Sequence, residues 1–254
     1  MAKVPPPTKN STDNYFDFGF KKVTADEKTE KVASVFERVA SRYDVMNDVM
    51  SLGLHRLWKS RFVESLPLRE NGVYLDMAGG TGDIAQSIYK RLKSFGIHVN
   101  LTVSDINPAM IGIGQKRYPH LNWLLANAEA LPLAENSVDV YTIAFGLRNV
   151  TYREKALEEA FRVLKPGGKF ACLEFSQVQA PFQKLYDIYS FCMIPKMGEW
   201  IAHDKESYQY LSESIRTFLT RDKLLGLMKQ TGFERARYET YTGGIVALHT
   251  GYKF

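Results

Sequence analysis

Residues 76–85 read Asp-Met-Ala-Gly-Gly-Thr-Gly-Asp-Ile-Ala and hold the densest set of chemically useful groups in the chain. Asp76 lies near the end of a short apolar run, 73–77, that reads as a buried strand. Gly80 and Gly82 follow, with the hydroxyl of Thr81 between them, and a helical pattern opens at Asp83. Glycine lets the backbone approach a ligand closely and take positive φ without steric cost. The helix behind it offers free N–H groups in its first turn. A strand, a glycine turn and a helix N-terminus in that order predict a small-molecule site.

Two ligands compete for it. Gly80-x-Gly82-x-x-Ala85 fits the dinucleotide fingerprint. Asp76-x-Ala78-x-Gly80-x-Gly82 fits the looser acidic-x-G-x-G-x-G pattern associated with S-adenosylmethionine (SAM). A pyrophosphate is a dianion and is disfavoured by Asp76 and Asp83 on either side of the loop. SAM carries a sulfonium and an ammonium, which two carboxylates suit. An ordinary tight turn is the third reading.

Further candidates follow the ends of later strands, where ligands bind in open parallel sheets. Asp105 ends the second strand, about 20 residues past the glycines, where a carboxylate can take both ribose hydroxyls. Its competing role is a helix cap beside Pro108. Asn127-Ala128 follows the third strand. The amide can reach an adenine edge and the small alanine leaves room for the ring, while a plain turn asparagine is the alternative. Phe145-Gly-Leu-Arg148-Asn149 follows the fourth, at the pocket mouth where methyl donor and acceptor would meet.

The elements that position these residues alternate. Strands are expected at 73–77, 99–104, 121–125, 138–145 and 169–175, with helices near 83–95, 108–117 and 153–164. That alternation predicts right-handed crossovers and a parallel sheet covered on both faces. Two terminal strands, 233–241 and 244–252, joined at Thr242-Gly243, read as a hairpin. The fold class is therefore α/β and Rossmann-like, a mostly parallel seven-stranded sheet with an antiparallel C-terminal hairpin. Residues 1–30 read as a mobile arm, with Tyr15, Phe16, Phe18 and Phe20 as a docking patch. Residues 31–254 read as one domain. Within it, 31–68 form a helical lid, with apolar stripes at 28–50 and at Leu54, Leu57, Trp58, Phe62 and Leu66. Residues 181–218 form a helical insertion, and the large apolar groups of 181–201 suit core packing, a wall for an apolar substrate or a membrane contact.

Composition sets the remaining bounds. The chain has 254 residues, 45% of them hydrophobic, enough for one α/β domain with additions. Lys+Arg exceed Asp+Glu by 33 − 28 = 5. That scattered excess suits an anionic membrane surface and gives no basic stripe for nucleic acid. Two cysteines without a CxxC suit a reducing compartment and argue against a zinc site. No apolar window is long enough to span a bilayer, so a cytoplasmic protein is expected.

Several segments together resemble the ubiquinone/menaquinone biosynthesis C-methyltransferases of the UbiE/MenG type. They are Tyr43-Asp-Val-Met-Asn-Asp48, Asp76-Met-Ala-Gly-Gly-Thr-Gly-Asp83, Asn127-Ala-Glu-Ala-Leu-Pro132, Phe145-Gly-Leu-Arg-Asn149, Arg162-Val-Leu-Lys-Pro-Gly-Gly168 and Ala247-Leu-His-Thr-Gly-Tyr-Lys-Phe254. The resemblance runs from about residue 18 to the C-terminus. It implies a class I fold and SAM-dependent methyl transfer to a ring carbon of a polyprenylated benzoquinol or of demethylmenaquinol. It places SAM contacts on Thr81, Asp105, Asn127 and Ala128, beside Asp76, Gly80 and Gly82. A serine that the family usually carries is replaced by Ala144, and Thr142, on the same face of the strand, is the expected substitute.

The catalytic candidates are Tyr43, Asp44, Arg148 and Asn149. Arg148 is expected to stabilise phenolate charge and Asp44 or a nearby carboxylate to accept the proton, with Glu174 and His203 as lesser candidates. Candidate partners are the quinol, other quinone-biosynthesis proteins, a membrane surface and a second copy of the chain. A nicotinamide-dependent reductase, a scaffold subunit with the SAM fold and a small-molecule N- or O-methyltransferase are the alternatives.

Overall fold

The computed structural model describes residues 15–40, 47–48, 51–98, 100–178 and 204–254. Tyr43, Asp44, His203 and the apolar stretch 181–201 lie outside the described residues.

The main sheet has seven strands among the described residues: β3 (Val73–Met77), β4 (Asn100–Asp105), β5 (Asn122–Leu125), β6 (Val138–Ala144), β7 (Leu164–Phe175), β8 (Glu234–Tyr241) and β9 (Val246–Tyr252). Their spatial order is β5-β4-β3-β6-β7-β9-β8. The five strands from β5 to β7 pair in parallel, and β9 runs antiparallel to both β7 and β8. This is the mostly parallel sheet with a reversed C-terminal hairpin that the alternating pattern predicts. Strand β3 has β4 on one side and β6 on the other, so the chain reverses its winding there, which opens a crevice at the carboxyl ends of these strands.

Alternation along the strands separates two cores. Tyr74 and Val140 face one, with Trp58, Phe62, Ile88, Leu92, Tyr208 and Leu211. Leu75, Met77, Tyr141 and Ile143 face the other, with Leu157, Ala160, Leu224 and Met228. The first is covered by α1 (Ala25–Val39), α2 (His55–Glu64), α3 (Asp83–Ser94) and α6 (Lys205–Thr217); the second by α5 (Arg153–Val163) and α7 (Arg221–Thr231). Helix α4 (Pro108–Arg117) packs beside β4 and β5.

The N-terminal segment differs from the mobile arm expected through residue 30. From Phe16 it folds as a hairpin, β1 (Phe16–Phe18) with β2 (Lys21–Val23), and then enters α1. Thr24 and Glu27 close a capping box on α1, satisfying N–H groups the helix leaves open. Phe18 stacks on Tyr210 at 4.2 Å and Phe16 meets Tyr152 edge-on at 5.0 Å. Two of the four aromatics read as a docking patch thus dock on the chain itself, while Tyr15 and Phe20 stay exposed.

The apolar stripe of α2 is also narrower than its spacing suggests. Trp58, Phe62 and Val63 are buried, but Leu54 and Leu57 are exposed. The Trp58 indole donates to Thr242 at 2.8 Å and packs against Phe145 and Phe175, so α2 is anchored over the ends of β6 and β7. Strand β7 starts before Pro166-Gly167-Gly168 rather than after it: Leu164 pairs with Val138, and the register jumps to Lys169 opposite Val140. That bulge accommodates the proline without breaking the strand.

Candidate active site

The glycine loop is built from below by Asp76. Its Oδ2 accepts the Ala85 N–H at 3.1 Å, and its Oδ1 accepts the Thr142 hydroxyl at 2.8 Å. Helix α3 has Gly82 at its N-cap, which carries no side chain to cap with, so a strand carboxylate supplies the missing acceptor. Burial pushes the Asp76 carboxyl up to about 7, opposed by its bonds from Thr142 and Ala85. Asp76 therefore shapes the loop. Thr142, the expected substitute for a hydroxyl at Ala144, is buried and commits its proton to Asp76.

Gly80 and Gly82 both take positive φ, +58° and +88°. The Gly80 N–H points to Asp105 Oδ2 at 2.9 Å, which ties the loop of β3 to the end of β4. Asp105 Oδ1 accepts from Asn107 N at 2.8 Å, and burial raises its pKa. The cap of α4 is Asn107, which binds the N–H groups of Ala109 and Met110. Asp105 is thereby excluded as the cap and left at the crevice with acceptor capacity on both oxygens.

A cleft opens above this framework, lined by Lys59, Asp76, Ala78, Gly79, Thr81, Asp83, Ile84, Ala144 and Phe145. Ala78 and Phe145, at the ends of neighbouring strands, both sit in the left-handed region at φ +52° and +56°. Such non-glycine strain persists where the surroundings enforce it and clusters at functional sites. Thr81 Oγ1 is buried in this cleft with no partner among the described residues. A buried hydroxyl left open costs free energy unless a ligand answers it, and SAM, with polar groups at both ends, fits that requirement.

Beyond Phe145 the chain makes one 3-10 turn over Leu147–Asn149. Arg148 is buried, and its Nη1 donates to Glu174 Oε1 at 2.8 Å and to the carbonyl of Phe145 at 2.5 Å. Its guanidinium lies 5.3 Å from the centre of the Phe175 ring. Glu174 also receives the N–H groups of Arg148 and Phe175, so both of its oxygens are engaged. Arg148 Nε is buried and finds no partner among the described residues. Asn149 Oδ1 accepts the Tyr210 hydroxyl at 3.0 Å, which orients the amide and leaves its NH2 as the remaining donor.

Asn127 is exposed past β5, and its Oδ1 accepts the Glu129 N–H at 3.0 Å, an Asx turn. Its NH2 stays available, and Ala128 beside it is buried. The structure thus brings Asp76 and Thr81 to one cleft, ties Gly80 to Asp105 by a hydrogen bond, and sets Arg148 against the Phe145 wall. Two features escape the sequence pattern. Lys59 reaches the cleft from α2, which no spacing reveals. Ile106 and Leu125, on the neighbouring ends of β4 and β5, stay 47% and 58% exposed, apolar surface beside Asp105.

Residues 23–253 match the ubiE/COQ5 methyltransferase family. A 2-methoxy-6-polyprenyl-1,4-benzoquinol methylase from Oryza sativa, described as mitochondrial, is 47% identical, covering 93% of this chain and 87% of its own. The ubiquinone/menaquinone biosynthesis C-methyltransferase UbiE of Zymomonas mobilis is 50% identical over 93% of this chain and 98% of its own. The corresponding UbiE of Rickettsia bellii is 48% identical over 94% and 99%. Among solved structures, a SAM-dependent methyltransferase from Thermotoga maritima superposes with a TM-score of 0.60 at 22% identity, covering 88% of this chain and all of that one, a likeness of fold.

Proposed function

The chain belongs to the ubiE/COQ5 methyltransferase family of SAM-dependent C-methyltransferases, and on that premise we propose that it methylates a ring carbon of a polyprenylated quinol. The substrate is 2-methoxy-6-polyprenyl-1,4-benzoquinol, demethylmenaquinol or both; one relative is named for the benzoquinol and others for ubiquinone/menaquinone biosynthesis. The observation that carries the reading is the bond from Arg148 Nη1 to the carbonyl of Phe145, a wall of the cleft. Through it, a fixed cation and the donor site share one loop.

SAM, when bound, supplies the methyl group. Thr81, Asp105, Asn127 and Ala128 hold the donor, with Gly80 and Gly82 giving the backbone room and Asp76 holding the loop in shape. A quinol ring is electron-rich, and its hydroxyls push density onto the ortho carbon. As that carbon forms its bond to the methyl group, the bond from methyl to sulfur breaks to leave a neutral thioether and the adjacent hydroxyl gives up its proton. The ring carbon then loses its own hydrogen as the oxygen regains one, which restores the quinol. The Arg148 guanidinium, with Nε still open, stabilises the phenolate charge in a dry setting. Asn149 donates from its NH2 to the same end of the ring. Arginine keeps its proton at any physiological pH, so it cannot be the base. Glu174 is engaged, and Asp44, with Tyr43 beside it in sequence, takes the proton. The apolar side chains of 181–201 cover the prenyl tail and give a peripheral membrane contact. No helix among the described residues is long and apolar enough to cross a membrane.

The test is transfer of label from methyl-labelled SAM to each reduced, demethylated quinol, read by mass spectrometry of the product ring. Label on the ring carbon of at least one quinol is expected. Absence of label from both, with SAM bound, overturns the reading.

A further inference from the structure

Lys59 carries a charge into the donor cleft that the quinol chemistry does not use. Its side chain is only 15% exposed, and it is the one basic side chain lining the cleft among the described residues. Building on the donor reading above, we infer that Lys59 and Thr81 bind the α-carboxylate of the amino-acid end of SAM.

Three observations converge on this. The first is charge matching. Asp76 and Asp83 also line the cleft, and among the described residues Lys59 is the one cationic side chain there to meet an anionic group. The second is availability. Lys59 Nζ stands 3.5 Å from Asp83 Oδ2, at the limit of a hydrogen bond, and Arg117 approaches the other Asp83 oxygen at 3.4 Å. Lys59 can turn toward a ligand carboxylate while Asp83 keeps a counter-ion. The third is the open hydroxyl of Thr81, which is 3% exposed, lines the same cleft and lacks a partner among the described residues. It offers the carboxylate a donor beside the ammonium. The N-terminus of α3, directly behind Thr81, adds a favourable field for an anion. Helix α2 is held by the buried Trp58, so the neighbouring Lys59 is delivered from a rigid element.

The test compares two ligands that differ in the amino-acid end. S-adenosylhomocysteine carries the carboxylate; 5′-methylthioadenosine keeps the adenosine and sulfur and lacks it. Calorimetric titration of wild type, Lys59→Met and Lys59→Arg reads the difference. Loss of a charge-assisted bond predicts S-adenosylhomocysteine binding about 10- to 100-fold weaker in Lys59→Met, with methylthioadenosine changed by less than about twofold. Lys59→Arg is expected to retain most of the affinity. If Lys59→Met weakens both ligands equally, or neither, Lys59 does not hold the carboxylate and the inference is overturned. If wild type fails to bind S-adenosylhomocysteine, the donor site itself is misplaced and the inference falls with it.

Discussion

Arg148 Nη1 lies 2.8 Å from Glu174 Oε1, with side chains 4% and 1% exposed. Removing one member of such a pair strands a buried charge and costs about 3–5 kcal/mol. Replacing both with apolar groups of similar volume strands none. Arg148→Met and Glu174→Leu are each expected to unfold at much lower urea, and the double variant to recover part of that loss. Methyl transfer should be lost in all three. A double variant whose destabilisation equals the sum of the singles would show that the two residues are not energetically coupled.

Asp76 makes stability depend on pH. Its native carboxyl titrates at about 7, against an ordinary value of 3.8. The native state therefore keeps a proton that the unfolded chain gives up. The stabilisation is complete below about pH 4 and is lost as pH rises through about 7. Asp76→Asn removes the titration and can still accept from the Ala85 N–H. Between pH 5 and pH 7, wild type should lose on the order of 2 kcal/mol relative to Asp76→Asn. Parallel denaturation midpoints for both proteins across that range would refute the assignment.

Which of these features the sequence reveals depends on how local their causes are. Strand β3, the glycine loop and the C-terminal hairpin follow from apolar runs and turn residues adjacent in the chain, and the structure reproduces them closely. The β1–β2 hairpin escapes because two three-residue strands carry little periodic signal. Their stability comes from Tyr152 and Tyr210, far along the chain. Within the site, residue types are legible and bonds are not. Asp105 was readable as a ribose acceptor, but its tie to the Gly80 N–H requires β4 to lie beside β3. The commitment of Thr142 to Asp76 likewise follows from β6 pairing with β3, where the two residues are register partners. Lys59 remains invisible to pattern because its reach depends on how α2 docks.

Gly82 combines two demands on one position. Its φ is +88°, and a Cβ there would come within 2.8 Å of the Trp123 ring. Left-handed backbone costs an L-residue roughly 1–2 kcal/mol, and overpacking a further 1–3 kcal/mol. Gly82→Ala should therefore destabilise by about 2–5 kcal/mol in chemical denaturation. Adding Trp123→Leu relieves the contact but leaves the backbone strain, so only part of the loss should return. Complete recovery would mean that packing alone requires the glycine, and no recovery that backbone conformation alone does.

Tyr210 separates positioning from folding. Burial pushes its hydroxyl up to about 12, so it stays protonated at neutral pH and donates to Asn149 Oδ1 at 3.0 Å. Tyr210→Phe keeps the ring that stacks on Phe18 and deletes only this bond. Its stability cost should be modest, about 1 kcal/mol. Its effect on chemistry should be larger, because an Asn149 amide free to rotate no longer presents its NH2 in one direction. A fall in kcat of roughly 10-fold or more is expected. Binding of S-adenosylhomocysteine should be unchanged, since Tyr210 is absent from the walls of the donor cleft. Unchanged kcat in a folded Tyr210→Phe protein would remove Asn149 orientation from the mechanism. A matching loss of S-adenosylhomocysteine affinity would instead show that α6 supports the donor site.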